Sequence, residues 1–172
     1  MDRVDVLVSM GSDSDLPKMK PAYNFFRKMG VAAEFRIALA HRAPELVATI
    51  CGEASSRGAR VIGAAAGLAA HLPGVVAAQT SLPVIGVPRS GLPVGGVDAL
   101  YSIVQMPPGI PVATVGSDNA TNAAVLACKI LALSDADLST KMNDYREEMR
   151  ERVYARDKKV PVHGPYSEVN QR

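Results

Sequence analysis

What the chain has little of narrows its function before any motif is read. Tryptophan is absent, and three phenylalanines and five tyrosines are the whole aromatic complement. Ring-stacking surfaces for a large planar cofactor are therefore scarce. Only two cysteines occur, Cys51 and Cys128. Both fall inside predicted helices, far apart and without ligand-like spacing to other Cys or His. That pattern speaks against a disulfide framework or a thiolate metal centre, and the pair reads as small buried thiols in a reducing compartment. No apolar run reaches the length needed to span a membrane. Met1-Asp2-Arg3-Val4 enters a strand directly and lacks the regions of a signal peptide, so the expected location is the cytoplasm. Nineteen basic residues nearly balance seventeen acidic ones, a formal +2, and the charges are dispersed. Nothing in that distribution resembles a nucleic-acid surface. There is no phosphate-loop lysine motif. The glycines of Gly91-Leu92-Pro93-Val94-Gly95-Gly96 follow a proline-broken loop instead of sitting in a strand-to-helix turn, so they are not a dinucleotide fingerprint. No metal-ligand spacing occurs, and no nucleophile is paired with a base in the sequence.

What is present is a regular alternation of strand and helix. Val4 to Ser9 is a β-branched run of buried-strand type. A helix follows with Leu16, Met19, Tyr23 and Phe26 as its apolar stripe, ending at Gly30. Ala33 to Ile37 is a second strand, and Pro44 opens a second helix with Leu46, Val47, Ile50 and Ala54 inward. Further strands are expected at Val61–Ala64, Val84–Val87 and Pro111–Val115, with a short helix near Val97–Val104 between the last two. Asn119 to Leu133 is an alanine-rich helix, apolar on most sides. Ser134 is expected to cap a final helix, with Asp137 completing a capping box. Leu138, Met142, Tyr145, Met149 and Val153 form the stripe of that helix, which could cover its own sheet or a neighbouring subunit. This order predicts an α/β fold: a three-layer αβα sandwich around a central parallel sheet, flavodoxin-like or Rossmann-like, plus a C-terminal helix. With 172 residues and 48% apolar composition, residues 1–159 suffice for one domain, including a helix at about 135–158. Residues 160–172 read as a tail, in which His163 carries no evident role.

Two short loops emerge at the carboxyl edge of such a sheet, where ligands bind in α/β proteins. The first, Gly11-Ser12-Asp13-Ser14-Asp15, precedes a helix start whose free N–H groups, beside the hydroxyls of Ser12 and Ser14, suit an anion. Asp15 would repel a bare phosphate, so it reads as an acceptor for sugar hydroxyls, and the ligand as a sugar phosphate. The alternative is that Ser14 or Asp15 merely caps the helix. The second loop, Ala40-His41-Arg42-Ala43-Pro44, adds a permanently charged fork for phosphate in Arg42 and a proton carrier near neutral pH in His41. From Gly63 to Ala78 nearly every residue is small or aliphatic, with His71 the only ionisable group. That stretch is either a buried helix or a tight apolar wall against a planar heterocycle or carbon dioxide.

These residues also carry a resemblance. Gly11-Ser12-x-Ser14-Asp15, Ala40-His41-Arg42-x-Pro44, Gly67-x-Ala69-Ala70-His71-Leu72-Pro73-Gly74, Leu82-Pro83-Val84-Ile85-Gly86-Val87-Pro88 and Ser102-Ile103-Val104-Gln105-Met106-Pro107 run in order with compatible spacing. Together they are similar to the N5-carboxyaminoimidazole ribonucleotide mutases of de novo purine synthesis, the class I branch of the aminoimidazole ribonucleotide carboxylase superfamily. The resemblance implies a cofactor-free isomerase in which His41 moves a proton. It implies substrate contacts from Ser12, Ser14, Asp15, Ala40, Arg42, Gly67, Leu68, Ala69, His71 and Leu72, with no metal. It also implies octamers whose carboxyl-terminal segments reach adjacent subunits, which favours a neighbour as the cover for the last stripe. Within the glycine-rich wall it favours a substrate-lining loop. The chain departs from the family pattern at Leu39, Ala43, Leu68, Arg89-Ser90 and Ser117-Asp118; these bear on pocket shape. Two other readings stand beside it. One is the carboxylase branch that uses free carbon dioxide, against which Arg42 argues because lysine is common there. The other is a non-catalytic flavodoxin-like nucleotide or flavin binder, weakened by the scarcity of aromatics.

Overall fold

A computed structural model describes residues 3–91 and 94–160. Five strands alternate with helices: β1 (Val6–Met10), β2 (Ala33–Ile37), β3 (Val61–Gly67), β4 (Val84–Arg89) and β5 (Ala113–Thr114). The helices are α1 (Leu16–Met29), α2 (Pro44–Ser56), α3 (Leu72–Ala78), α4 (Val97–Val104), α5 (Ala120–Ala132) and α6 (Ala136–Asp157). All strand pairs are parallel and the sheet order is β2-β1-β3-β4-β5. The expected three-layer α/β sandwich is the fold observed. The chain runs outward from β1 in both directions, so the connections diverge between β1 and β3, the switch point at which such sheets open a crevice.

Alternating side chains send the strands' two faces into two cores. Val6, Val8, Met10, Val61, Ala65, Ile85 and Val87 face α1, α5 and α6. Leu7, Ile62, Ala64, Ala66 and Val84 face α2, α3 and α4. Burial on both sides explains why β1 and β4 read as continuous apolar runs. On the second face α4 lies directly on the β4 backbone. A Cβ on Gly86 would stand 2.5 Å from Ile103 Cγ2 and 2.8 Å from Val112 Cγ1.

Several expectations shift. In α1 the buried residues are Met19, Ala22, Phe25, Phe26 and Met29, while Leu16 and Tyr23 are more than two-fifths exposed. The inward arc is turned toward α5 and α6, and Tyr23 instead meets Phe35 of the edge strand β2, edge to face at 5.8 Å. Leu46 at the start of α2 is likewise exposed, its inward place taken by Cys51. β5 keeps only two of its five expected residues. The wall segment is neither all helix nor all loop: Gly63–Gly67 continues β3, a short turn follows, and α3 begins at Leu72. The cap of α6 is Asp135, which accepts from Leu138 N at 2.9 Å; Ser134 is drawn back to the end of α5 and receives a hydrogen bond from Arg60. Along α6 Leu138 and Met142 are buried and Tyr145 meets Phe25 edge to face at 4.9 Å, but Met149 and Val153 stand exposed. The stripe thus covers its own domain for its first turns only. The tail, with His163, lies outside the described residues save its first position, Val160, as do Leu92 and Pro93.

Among the described residues no helix is long and apolar enough to cross a membrane, and no group of His, Cys, Asp and Glu could hold a metal ion. Both cysteines are free and buried; burial raises the Cys51 thiol pKa and pushes that of Cys128 up to about 12. Neither is suited to act as a nucleophile.

Candidate active site

The loops after β1, β2 and β3 meet over the switch point and enclose a cleft of about 410 Å³. Gly11, Ser12, Ser14 and Asp15 come from the first loop; Leu39, Ala40, His41 and Arg42 from the second; Ala66, Gly67, Leu68, Ala69, His71 and Leu72 from the third. Every residue singled out from the sequence lies on this one cleft. Its lining is predominantly apolar, and all of its polar side chains except His71 come from the first two loops. Gly11, Leu39 and Ala66 also line it and were not among the substrate contacts expected from the sequence; each sits next to a residue that was.

The first loop is more self-contained than its sequence suggests. Asp13–Asp15 form a single 3₁₀ turn capped by Ser12. Ser14 N donates to Ser12 Oγ at 3.2 Å and to Asp13 Oδ1 at 2.9 Å, and the Ser12 and Ser14 hydroxyls lie 2.9 Å apart. One N–H of the expected anion seat is thereby spent locally. Asp15 precedes α1 without capping it through its side chain. Its Oδ1 instead accepts from Arg89 Nε at 3.3 Å. Ser12 caps the 3₁₀ turn and no side chain caps α1, so Asp15 has no capping role.

The second loop opens α2 with Pro44 in its first turn, and no side chain caps that helix. Pro44 has no N–H, and the Leu46 and Val47 amides donate to Ala43 O at 3.2 and 3.3 Å, so among the first-turn amides only that of Glu45 is left, with the positive end of the dipole, to face an anion. Arg42 is exposed at this point and, among the described residues, no carboxylate or carbonyl holds its guanidinium. His41 stacks on His71, ring centroids 4.8 Å apart and planes 27° from parallel. The two imidazoles bridge the second and third loops. Stacking fixes the plane of the His41 ring while leaving both nitrogens without a protein hydrogen-bond partner among the described residues.

The third loop turns sharply at Leu68, whose φ of 57° lies in the left-handed region. The Ala70 amide donates to Leu68 O at 2.8 Å, closing the turn. A glycine would take this conformation without strain, which gives the departure at Leu68 a backbone meaning; its side chain is 56% exposed. Gly67 is needed for a different reason, since a Cβ there would stand 3.3 Å from Arg89 Cβ on the neighbouring strand.

Behind the first loop lies a charge network that the sequence did not assign to the site. Arg89, at the end of β4, is 3% exposed and reaches both Asp15 and Asp118, with Nη1 2.6 Å from Asp118 Oδ1. Asp118 also accepts from the Ser90 hydroxyl and amide and pairs with Lys18 at 3.4 Å. Partial burial alone would raise the Asp118 pKa, but the Ser90 hydrogen bonds and the Arg89 and Lys18 charges outweigh it and hold the carboxyl below its ordinary value. The only advance signal was that Arg89-Ser90 and Ser117-Asp118 both departed from the family pattern.

A family model described as AIR carboxylase matches residues 5–152. The N5-carboxyaminoimidazole ribonucleotide mutase of Methanocaldococcus jannaschii is 53% identical over 155 residues, covering 90% of this chain and 96% of that protein. The mutase of Thermotoga maritima is 44% identical over 172 residues, 100% and 99% of the two chains. The chloroplastic phosphoribosylaminoimidazole carboxylase of Vigna aconitifolia is 50% identical over 155 residues, but the match spans only 28% of that longer protein. Among solved structures, that of Treponema denticola PurE superposes with a TM-score of 0.84 at 28% identity, over 92% of this chain and 99% of that one.

Proposed function

The chain belongs to the AIR carboxylase family, and from that premise we propose that its cleft interconverts N5-carboxyaminoimidazole ribonucleotide and 4-carboxy-5-aminoimidazole ribonucleotide, with His41 as general acid and base. Full-length matches to mutases at 44–53% identity support the activity. The observation that supports the residue roles is that Ser12, Ser14, Asp15, His41 and Arg42 line one predominantly apolar cleft.

Arg42 takes the phosphate, with the Ser12 and Ser14 hydroxyls and the Glu45 amide at the start of α2 beside it; Asp15 accepts from the ribose hydroxyls. Ala40, Gly67, Leu68, Ala69 and Leu72 close around the imidazole base, and His71 supports or touches it through its stack on His41. In the forward direction the N5–carboxyl bond breaks, His41 gives its proton to N5, and carbon dioxide is released into the apolar pocket. Ring carbon C4 then attacks the trapped carbon dioxide, forming the new carbon–carbon bond, and His41 takes the C4 proton back. One residue donating and recovering one proton closes the balance without a cofactor. Proton transfer of this kind contributes on the order of 10²–10⁴-fold. Holding both fragments side by side contributes more, because recombination becomes intramolecular.

A carboxylase using free carbon dioxide is the second reading; the guanidinium of Arg42 beside His41 favours the mutase. The test is interconversion by the purified protein without ATP or added bicarbonate, followed by the ring's ultraviolet absorbance. Equilibration faster than the spontaneous rate supports the mutase, whereas strict dependence on added bicarbonate would replace it with the carboxylase. We place the enzyme in the cytoplasm as a single-domain homo-oligomer, octameric by the family resemblance. Exposed Met149, Val153 and Tyr154 on α6 support a neighbouring subunit as their cover.

A further inference from the structure

Among the described residues, Arg89 is the one buried cation near the cleft, and the fold alone supplies no role for it. It ends β4, pairs in register with Gly67 at the end of β3, and lies directly behind the wall of the site. A guanidinium at 3% exposure requires partners, and two carboxylates from distant parts of the chain converge on it. Nε donates to Asp15 Oδ1, whereas Nη1 is held by Asp118 through charge, the approach being without hydrogen-bond alignment. Asp118 is itself fixed from three sides. Ser90 donates to both of its oxygens, Lys18 approaches Oδ2, and its own amide donates to Pro88 O at 2.8 Å. A non-glycine residue at φ 57° is held there only by surroundings that over-determine it. The network is therefore anchored at the Asp118 end and open at the Asp15 end, where Oδ2 lies beside Gly11 at the cleft.

We propose that Arg89 is a positioning residue: anchored by Asp118, its rigid fork holds Asp15 Oδ1 so that Oδ2 is presented to the ribose hydroxyls of the bound nucleotide. The proposal rests on the reading of Asp15 as the ribose acceptor. It deepens that reading by naming what keeps the carboxylate oriented. A lysine cannot do the same, since a single ammonium lacks the fork that spans two carboxylates.

The experiment compares binding of 4-carboxy-5-aminoimidazole ribonucleotide and its 2′,3′-dideoxy analogue by calorimetry to the wild type, Asp15→Asn, Arg89→Met, Arg89→Lys and the Asp15→Asn/Arg89→Met double variant. Arg89→Met is expected to weaken the ribonucleotide about tenfold, the scale of one charge-assisted hydrogen bond, and to leave the dideoxy analogue within about twofold. The rise is expected in KM, with kcat little changed, and Arg89→Lys should recover only part of the loss. In the Asp15→Asn background, Arg89→Met should add nothing. Equal losses on both ligands, or none, would overturn the proposal; where Arg89→Met does not fold, the same comparison with Arg89→Lys decides it. Discrimination by Asp15→Asn without discrimination by either Arg89 variant would overturn the positioning role alone. Failure of Asp15→Asn to discriminate would overturn the ribose reading, and the proposal with it.

Discussion

Replacing Leu68 by glycine and by alanine should reverse the usual order of these two residues. In ordinary backbone, glycine is less stable than alanine by about 0.5–1 kcal/mol, because it loses more freedom on folding. Leu68 sits at φ 57°, where any Cβ crowds the following carbonyl at a cost of roughly 1–2 kcal/mol. Alanine keeps that strain and glycine removes it. Subtracting the entropy term from the strain leaves glycine ahead by about 0.5–1 kcal/mol. Both variants lose the same modest packing, since the leucine side chain is 56% exposed, so that contribution cancels in the comparison. The assay is urea unfolding of the two variants at one protein concentration, because self-association would otherwise shift the midpoint. For a chain of this size the difference corresponds to roughly 2–4 °C per kcal/mol in Tm. An alanine variant as stable as the glycine variant, or more so, would refute the left-handed turn as the reason for a glycine preference here.

Other consequences follow from the same geometry. Arg42→Ala should weaken nucleotide binding by roughly 1.5–3 kcal/mol without unfolding the protein, because its guanidinium is exposed and is read as holding the phosphate; an unchanged Kd in calorimetry would move the phosphate elsewhere. Gly86→Ala should destabilise by about 1–3 kcal/mol or more, since the added methyl overlaps Ile103 and Val112; an unaltered urea midpoint would mean that α4 does not pack on β4 as described. Glu34, held below its ordinary value of 4.5 by its hydrogen bond from Arg57, outweighing its burial, and by Arg36, contributes stability that is present above that value and lost as pH falls through the lower folded value. Glu34→Gln should therefore lower stability near neutral pH and flatten its decline below about pH 4.5; an identical pH profile for variant and wild type would contradict the assignment.

The cleft was legible because each of its loops is short and follows a strand. Once the strands were placed as parallel, Ser12, Asp15, His41, Arg42 and His71 had to reach the same edge. Arg89 and Asp118 were not legible as site residues, because Asp15, Arg89 and Asp118 are brought together only by the pairing of β1, β3 and β4 and the start of α5. The α1 stripe was mis-phased for a tertiary reason. Its inward arc is set by α5 and α6 as well as by the sheet, and β2, being an edge strand, leaves Tyr23 half exposed. The cap of α6 moved by one residue because Ser134 was taken up by the end of α5, leaving Asp135 to the new helix. The α6 stripe outran the core: a 22-residue helix is about 33 Å long, it packs on α5 and α1, and the apolar cluster it joins there reaches only to Tyr145.

The central claim is that His41 moves the proton while other groups hold the nucleotide, and His41→Asn tests it most directly. Asparagine keeps a polar side chain of similar reach on the exposed loop but cannot carry a proton near neutral pH. Interconversion and binding of 4-carboxy-5-aminoimidazole ribonucleotide would be measured on the same preparation. The account predicts a loss of kcat of at least about 10²-fold with Kd changed little. Turnover close to wild type, in a protein that binds normally, would contradict it and assign the proton to another group.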